Sequence, residues 1–286
     1  MAKKHSRTRH GKAKPLAPDP TLAELQQELT KTAEVIEDRH QAFVRTPQDI
    51  ETIHRFRTNT RTLRSLIAFI KPWQNKEQNA ETQRILKEVV GHTSRLRELD
   101  VLEGQVRADS DSSHKLIALC KKEAAVERAR VLKVLTSKHV TRSFGQAMDM
   151  AKNVKWKSHY DEQDLPADEV RARFNAMIES TQADLATLDL SDVERTHDVR
   201  KRAKRARYVA ERYVGVLGKD AVAIARHMND HQDILGDICD ARANICLISE
   251  FLERDLPKPV TRDLKRMLKQ NEAYLYRSLE AAEAKR

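Results

Sequence analysis

The chain has 286 residues, enough for a large buried core, and its 53 Lys and Arg against 43 Asp and Glu give a formal net charge of +10, which points to a polyanionic partner or surface. Charged residues make up 34% and aromatics only 5%, with 7 Gly and 8 Pro, a balance that favours long helices and argues against a sheet-rich fold. No run is apolar enough to cross a membrane. Cys120, Cys239 and Cys246 show no C-x-x-C spacing, which argues against a disulfide framework and predicts a reducing, cytoplasmic setting.

Residues 1–19 are basic but lack the apolar run of a secretory signal, and read as a flexible arm. After Pro20, Thr21 and Glu24 form a capping box, and Leu22, Leu25, Leu29, Ile36 and Phe43 follow at helical spacing, so a first helix is expected over roughly 21–44. Thr46-Pro47-Gln48-Asp49 predicts that a second helix starts at about Pro47, and Lys71-Pro72 ends it. A third helix is expected over about 77–106 and a fourth over about 113–150, separated by the polar stretch 109–113, with a break in the fourth near residue 140. A loop is predicted around 153–165. Then come a helix over 166–189, a capping box at Ser191–Glu194 opening another helix that stops near Gly215 or Gly218, a seventh over about 219–254, and an eighth from about Thr261 onward.

The second helix carries His54, Arg57, Arg61 and Arg64 at offsets of three, seven and ten, which places them on one narrow stripe. Phe56, Leu63, Leu66, Ile67 and Ile70 fall on the opposite side and anchor it. The sixth helix repeats the offsets in His197, Arg200, Lys204 and Arg207, with Lys201, Arg202 and Arg205 widening the stripe. Asp100 in RLRELDVL and Asp240 in LGDICDARA recur at nearly the same interval. An all-α fold is therefore expected, built as two four-helix bundles (about 20–152 and 166–285) related by a pseudo-twofold axis through internal duplication.

Rows of arginine suit a chain of phosphates, because each guanidinium keeps its charge and offers a planar fork of donors. At a 1.5 Å rise per residue each stripe spans roughly 15 Å, long enough for several phosphates. Against this stands the plain reading of a solvated basic face, which the second copy opposite an apolar face makes less probable. Either histidine also has a plain reading as a structural hydrogen-bonding group. Glu51-x-x-His54 and Glu194-x-x-His197 match the pairs of carboxylate-bridged di-metal bundles, but the adjacent arginines would repel a dication and Glu37-x-x-His40 fits no pair. His227 and His231 have the spacing of helical metal ligands without the glutamate of H-E-x-x-H, and read as surface histidines. Glu98, Asp100, Asp233, Asp237 and Asp240 are read as partners that hold the arginines extended. No P-loop, G-x-S-x-G or Gly-rich phosphate cradle is present.

At these residues the sequence resembles the CHAD family, the conserved histidine α-helical domain. His54, Arg57, Arg61 and Arg64 are similar to its H-x-x-R-x-x-x-R-x-x-R motif, and Lys204-Arg205-Ala206-Arg207-Tyr208 after His197 to its second-half K-R-L-R-Y. Arg97-Glu98-Leu99-Asp100 resembles the R-D-x-D element, and Leu235-Gly236 with Asp240 the L-G-x-x-x-D element, so the resemblance covers about 20–285. Thr62 and Ala206 depart from the family's residues, so the two stripes are expected to contribute unequally. The resemblance implies a basic central groove or pore that binds inorganic polyphosphate, and an association with polyphosphate granules and their proteins. Many family members also carry a triphosphate-tunnel domain, for which no E-x-E-x-K strand appears here.

The expected activity is thus non-enzymatic binding of polyphosphate, without metal or cofactor, by His54, Arg57, Arg61, Arg64, His197, Arg200, Lys201, Lys204, Arg205 and Arg207. Arg97, Lys121, Lys122, Arg128, Lys265 and Arg266 are further candidates to extend the groove. Nucleic-acid backbone binding is the first alternative, weakened because the stripes lack exposed aromatics other than Tyr208. A metal-dependent phosphohydrolase is the second.

Overall fold

Leu25, Leu29, Ala33, Ile36 and Phe43 recur at three-, four- and seven-residue intervals, and all are fully buried along the first helix, α1 (Thr21–Arg45). The same rule builds the rest of the chain. The computed structural model describes residues 21–284, so the basic arm expected over residues 1–19 lies outside the described residues. After α1 come α2 (Ile50–Ile70), α3 (Lys76–Gly91), α4 (Ser94–Ala108), α5 (His114–Leu135), α6 (Lys138–Lys152) and the short α7 (Ser158–Gln163). α8 (Ala167–Ala186), α9 (Val193–Arg212), the single turn α10 (Val214–Leu217), α11 (Asp220–Leu252) and α12 (Lys258–Ala284) complete it. The protein is all-helical: among the described residues no strand forms, and the one isolated bridge joins Gln74 to Trp156.

Several boundaries differ from expectation for identifiable reasons. The second helix begins at Ile50 rather than Pro47, because Asp49 is the N-cap and its Oδ1 accepts from Glu51 N at 2.9 Å. Asp192 caps α9 in the same way, accepting from Arg195 N at 2.9 Å, so the cap is not the Ser191–Glu194 box. The helix expected over 77–106 is two helices broken at His92-Thr93, where Thr93 Oγ1 donates to Val90 O at 2.7 Å and closes the end of α3. The break expected near residue 140 falls at Thr136-Ser137, with Ser137 capping α6. α7 occupies part of the stretch expected as loop.

The N-terminus of α1 is capped by a residue 143 positions away, near the middle of the sequence. Asp164 accepts from Thr21 N at 3.1 Å, Leu22 N at 3.2 Å and Leu165 N at 2.8 Å. Asp164 makes these bonds at φ 58° and ψ 166°, an extended positive-φ conformation that favours glycine and stores backbone strain. Asp164→Ala should lose about 1–2 kcal/mol by urea unfolding, and Asp164→Asn, which keeps an acceptor, should recover most of it. A loss as large for Asn as for Ala would show that the cap is not the cause.

Packing does not divide at residues 153–165. The main apolar core joins α1, α2, α3, α5 and α6 to Val170, Phe174 and Ile178 of α8, Ala203, Ala206 and Val209 of α9, and Met228 of α11. A second core unites Leu99 and Leu102 of α4 and Leu116 and Cys120 of α5 with Ile248 and Phe251 of α11 and Leu264 and Met267 of α12. The element order nonetheless runs in parallel: α1 lies against α2 as α8 lies against α9, and α4 pairs with α5 as α11 pairs with α12. The two cationic helices, α2 and α9, pack on one another.

Candidate functional site

On α2 the apolar anchors Phe56, Leu63, Leu66, Ile67 and Ile70 are all buried, which leaves Arg61 exposed and His54 and Arg64 half-buried. α9 presents Ala203, Ala206 and Ala210 to the core, all fully buried. Without bulky side chains on that face the helix can lie close to its neighbours. His197, Lys201 and Arg205 are exposed, and Arg200, Lys204 and Arg207 half-buried.

Arg61 is the centre of the arrangement. Its side chain is open to water, yet burial by surrounding protein is the largest cause lowering its pKa. Arg200 of α9 and Arg97 of α4 lower it further, opposed by Tyr208 and Asp240. Lys204 is pulled down to about 8, first by burial and then by Arg200 and Arg61. His54 is held below the usual histidine range by burial and then Arg97, and His197 by burial and then Lys201 and Arg200, so both are mainly neutral at pH 7. Arg64, lowered by burial and then Arg61 and Arg205, ties the far end of α2 to α9. Cations from α2, α4 and α9 thus act on one another electrostatically.

Few acids answer them. Arg200 reaches Asp240 at 3.2 Å, its guanidinium lying against Gly236, and its Nε is buried with no hydrogen-bond partner. Lys201 pairs with Asp198 at 3.0 Å and Arg202 with Asp184. Arg207 donates to Asn229 Oδ1 at 2.9 Å and stacks over Tyr208, and Arg64 donates to Gln83 Oε1 at 3.3 Å. Arg61, Arg97 and Lys204 have no ion-pair partner among the described residues. Like charges held together with Asp240 as their main counter-ion cost the folded state free energy, and a polyanion would relieve that cost.

Other residues singled out in the sequence stand elsewhere. Arg57 is buried, and its Nη1 donates to Val90 O at 3.0 Å, Thr93 Oγ1 at 2.5 Å and Ser94 Oγ at 3.4 Å, so it closes the α3–α4 break. Arg128 is buried as well, joined to Asp100 and donating to Pro47 O at 3.0 Å. Burial pushes the Asp100 carboxyl up to about 6 against the pull of Arg128. Arg266 pairs with Asp109 at 2.5 Å and donates to Asp111 O, holding the α4–α5 connection, while Lys121 and Lys122 on α5 and Lys265 on α12 are exposed. Tyr208 is buried and so offers no face for stacking a base. Arg173 of α8 was not singled out. It acts on the cluster through Arg205, donates to Phe69 O at 2.6 Å and lies over the Phe69 and Trp73 rings. An isolated arginine outside both stripes gave no periodic signal.

Two solved structures share this fold. The CHAD domain from the plant Ricinus communis has a TM-score of 0.73 at 20% identity, over 98% of this chain and 96% of that one. PptA from Streptomyces chartreusis has a TM-score of 0.71 at 13% identity, over 93% of this chain and 99% of that one. No curated protein matches the sequence. The family profile of the CHAD domain matches residues 27–249, most of the chain and all of the cationic cluster, and the chain therefore belongs to the CHAD domain family.

Proposed function

We propose that the chain binds inorganic polyphosphate, without acting on it, and that the cationic faces of α2, α4 and α9 form the groove that holds it. The observation that carries this reading is the set of unpaired, mutually repelling cations around Arg61. Arg61, Arg97, Arg200 and Lys204 would hold successive phosphoryl oxygens, and His54 and His197 would donate hydrogen bonds to others. Arg64 and Arg205 would carry the chain toward Arg173 and Arg202. Family membership supports the choice of ligand, since the CHAD family is linked to polyphosphate. Delivery of the protein to polyphosphate granules in the cytoplasm would follow from such binding. The burial of Tyr208 leaves the two stripes without an aromatic face for stacking bases, which speaks against single-strand binding along them. In a competition at equal phosphate concentration, polyphosphate should displace a bound labelled probe at least tenfold more effectively than single-stranded DNA. Equal displacement would favour a general backbone binder, and shortening of the chains on incubation with divalent metal would favour a hydrolase.

Binding should also depend on pH with a defined sign. A bound anion favours the protonated forms of Lys204, His54 and His197, all of which have lowered pKa values in the free protein. Protons are therefore taken up on binding. Affinity should weaken as pH rises through about 8, where Lys204 loses its proton, and strengthen as pH falls below the ordinary histidine range. Long chains keep the titration of terminal phosphates small. Calorimetry of Lys204→Ala should show the alkaline limb gone and the acidic limb kept; a flat profile in the native chain would contradict the assignment.

A further inference from the structure

A cavity outside the cationic cluster lies between the end of α8, the 188–190 connection, α11 and the end of α12. It has a volume of about 370 Å³ and is walled by Leu185, Leu188, Leu190 and Ile234, with His227 and His231 on one side. The histidines are one helical turn apart on α11, and their rings meet edge to face with the Nε2 atoms 3.2 Å apart. Both histidines face this cavity, whereas Asn229, two residues from each on α11, accepts from Arg207 of the cationic stripe and so lies on another side of the helix. The 3.2 Å contact is a hydrogen bond in which one neutral ring donates its Nε2 proton to the other, and a metal ion would take the place of that shared proton.

We propose that His227 and His231 chelate a late first-row divalent cation at the mouth of this cavity. At metal–nitrogen distances of about 2.0–2.1 Å, an Nε2–Nε2 separation of 3.2 Å subtends an angle of about 100° at the metal, close to tetrahedral. The soft χ2 torsions allow both lone pairs to turn toward a common point while the helix fixes the spacing. Neutral imidazole selects Cu²⁺, Ni²⁺ or Zn²⁺ over Mg²⁺ and Ca²⁺. Among the described residues no group of three or more His, Cys, Asp or Glu is arranged as a metal site, so water completes the coordination and the site is exchangeable rather than structural.

The test is calorimetric titration of the untagged full chain with Cu²⁺, Zn²⁺ or Mg²⁺ alone, in a non-chelating buffer at pH 7.5. Expected is one saturable equivalent for Cu²⁺ and, more weakly, for Zn²⁺, with none for Mg²⁺. His227→Ala and His231→Ala should each lower the Cu²⁺ affinity at least tenfold, while His159→Ala, a change at an exposed histidine elsewhere, leaves it intact. Cu²⁺ should also raise the melting temperature of the native chain and not of the two variants, a readout that shows they are folded. Unchanged affinity in both variants, or no saturable binding by the native chain, would overturn the proposal. Polyphosphate binding should be the same in all of these chains, so failure here leaves the anion site standing.

Discussion

Arg61→Glu should lower polyphosphate affinity by a hundredfold or more and leave the protein as stable as before, or slightly more stable. A charge-assisted hydrogen bond is worth about 1.5–3 kcal/mol, roughly ten- to hundredfold, and reversing the charge adds repulsion of the ligand. The unusual half of the expectation is stability. Arg61 is exposed, has no ion-pair partner among the described residues, and stands among Arg97, Arg200 and Lys204. A glutamate there would gain those cations as partners in the free protein. Thermal melting and calorimetry on the same samples separate the two effects. Lost binding with a lowered melting temperature would mean that Arg61 is part of the scaffold, and unchanged binding would move the site elsewhere.

Arg57→Ala should do the reverse. Although it shares the stripe of His54 and Arg61, its guanidinium is buried at the α3–α4 break and bonded to Val90 O, Thr93 Oγ1 and Ser94 Oγ. Truncation leaves a cavity and removes the cation that answers the C-terminal end of α3, a combination worth about 2–4 kcal/mol. Burial, followed by Arg61 and Arg97, pulls the Arg57 pKa down to about 9, so the charge itself is held at a cost. Arg57→Met, which keeps volume and drops the charge, should therefore lose less than Arg57→Ala, because Thr93 Oγ1 still donates to Val90 O. Urea unfolding of both variants decides it. Equal stability of Arg57→Ala and the native chain would show that the guanidinium does not hold the break.

The contrast between Arg57 and Arg61 shows where the sequence was legible. Periodicity placed both on one stripe and put Phe56 and Leu63 behind them, and the apolar side is buried as expected. Whether a stripe residue faces open space or a neighbouring helix depends on what packs opposite, and spacing along one helix does not contain that. Gly91-His92-Thr93-Ser94 did hold a signal for the break that recruits Arg57, a glycine at the end of α3 followed by two hydroxyl residues. Arg97 was ranked below the stripes, and with Arg95 and Arg107 it forms no cationic stripe on α4, yet it acts on Arg61, Arg57 and His54. Asp164 was invisible as a cap, since its partners Thr21 and Leu22 lie 143 and 142 residues before it in the chain. The cores mixing α4 and α5 with α11 and α12 were equally hidden, because helix patterns report which face is buried and not which helix covers it.

The central claim is that one cationic groove takes the polyanion, and titrating the chain with a polyphosphate of defined length across a salt series tests it most directly. Native protein should bind tightly with a steep salt dependence, the logarithm of affinity falling by roughly 0.7 per phosphate engaged for a single-stranded polyanion. A variant carrying Arg61→Ala, Arg200→Ala and Lys204→Ala, shown to be helical and folded, should lose both the affinity and about two units of that slope. The same affinity and slope in both proteins would contradict the account.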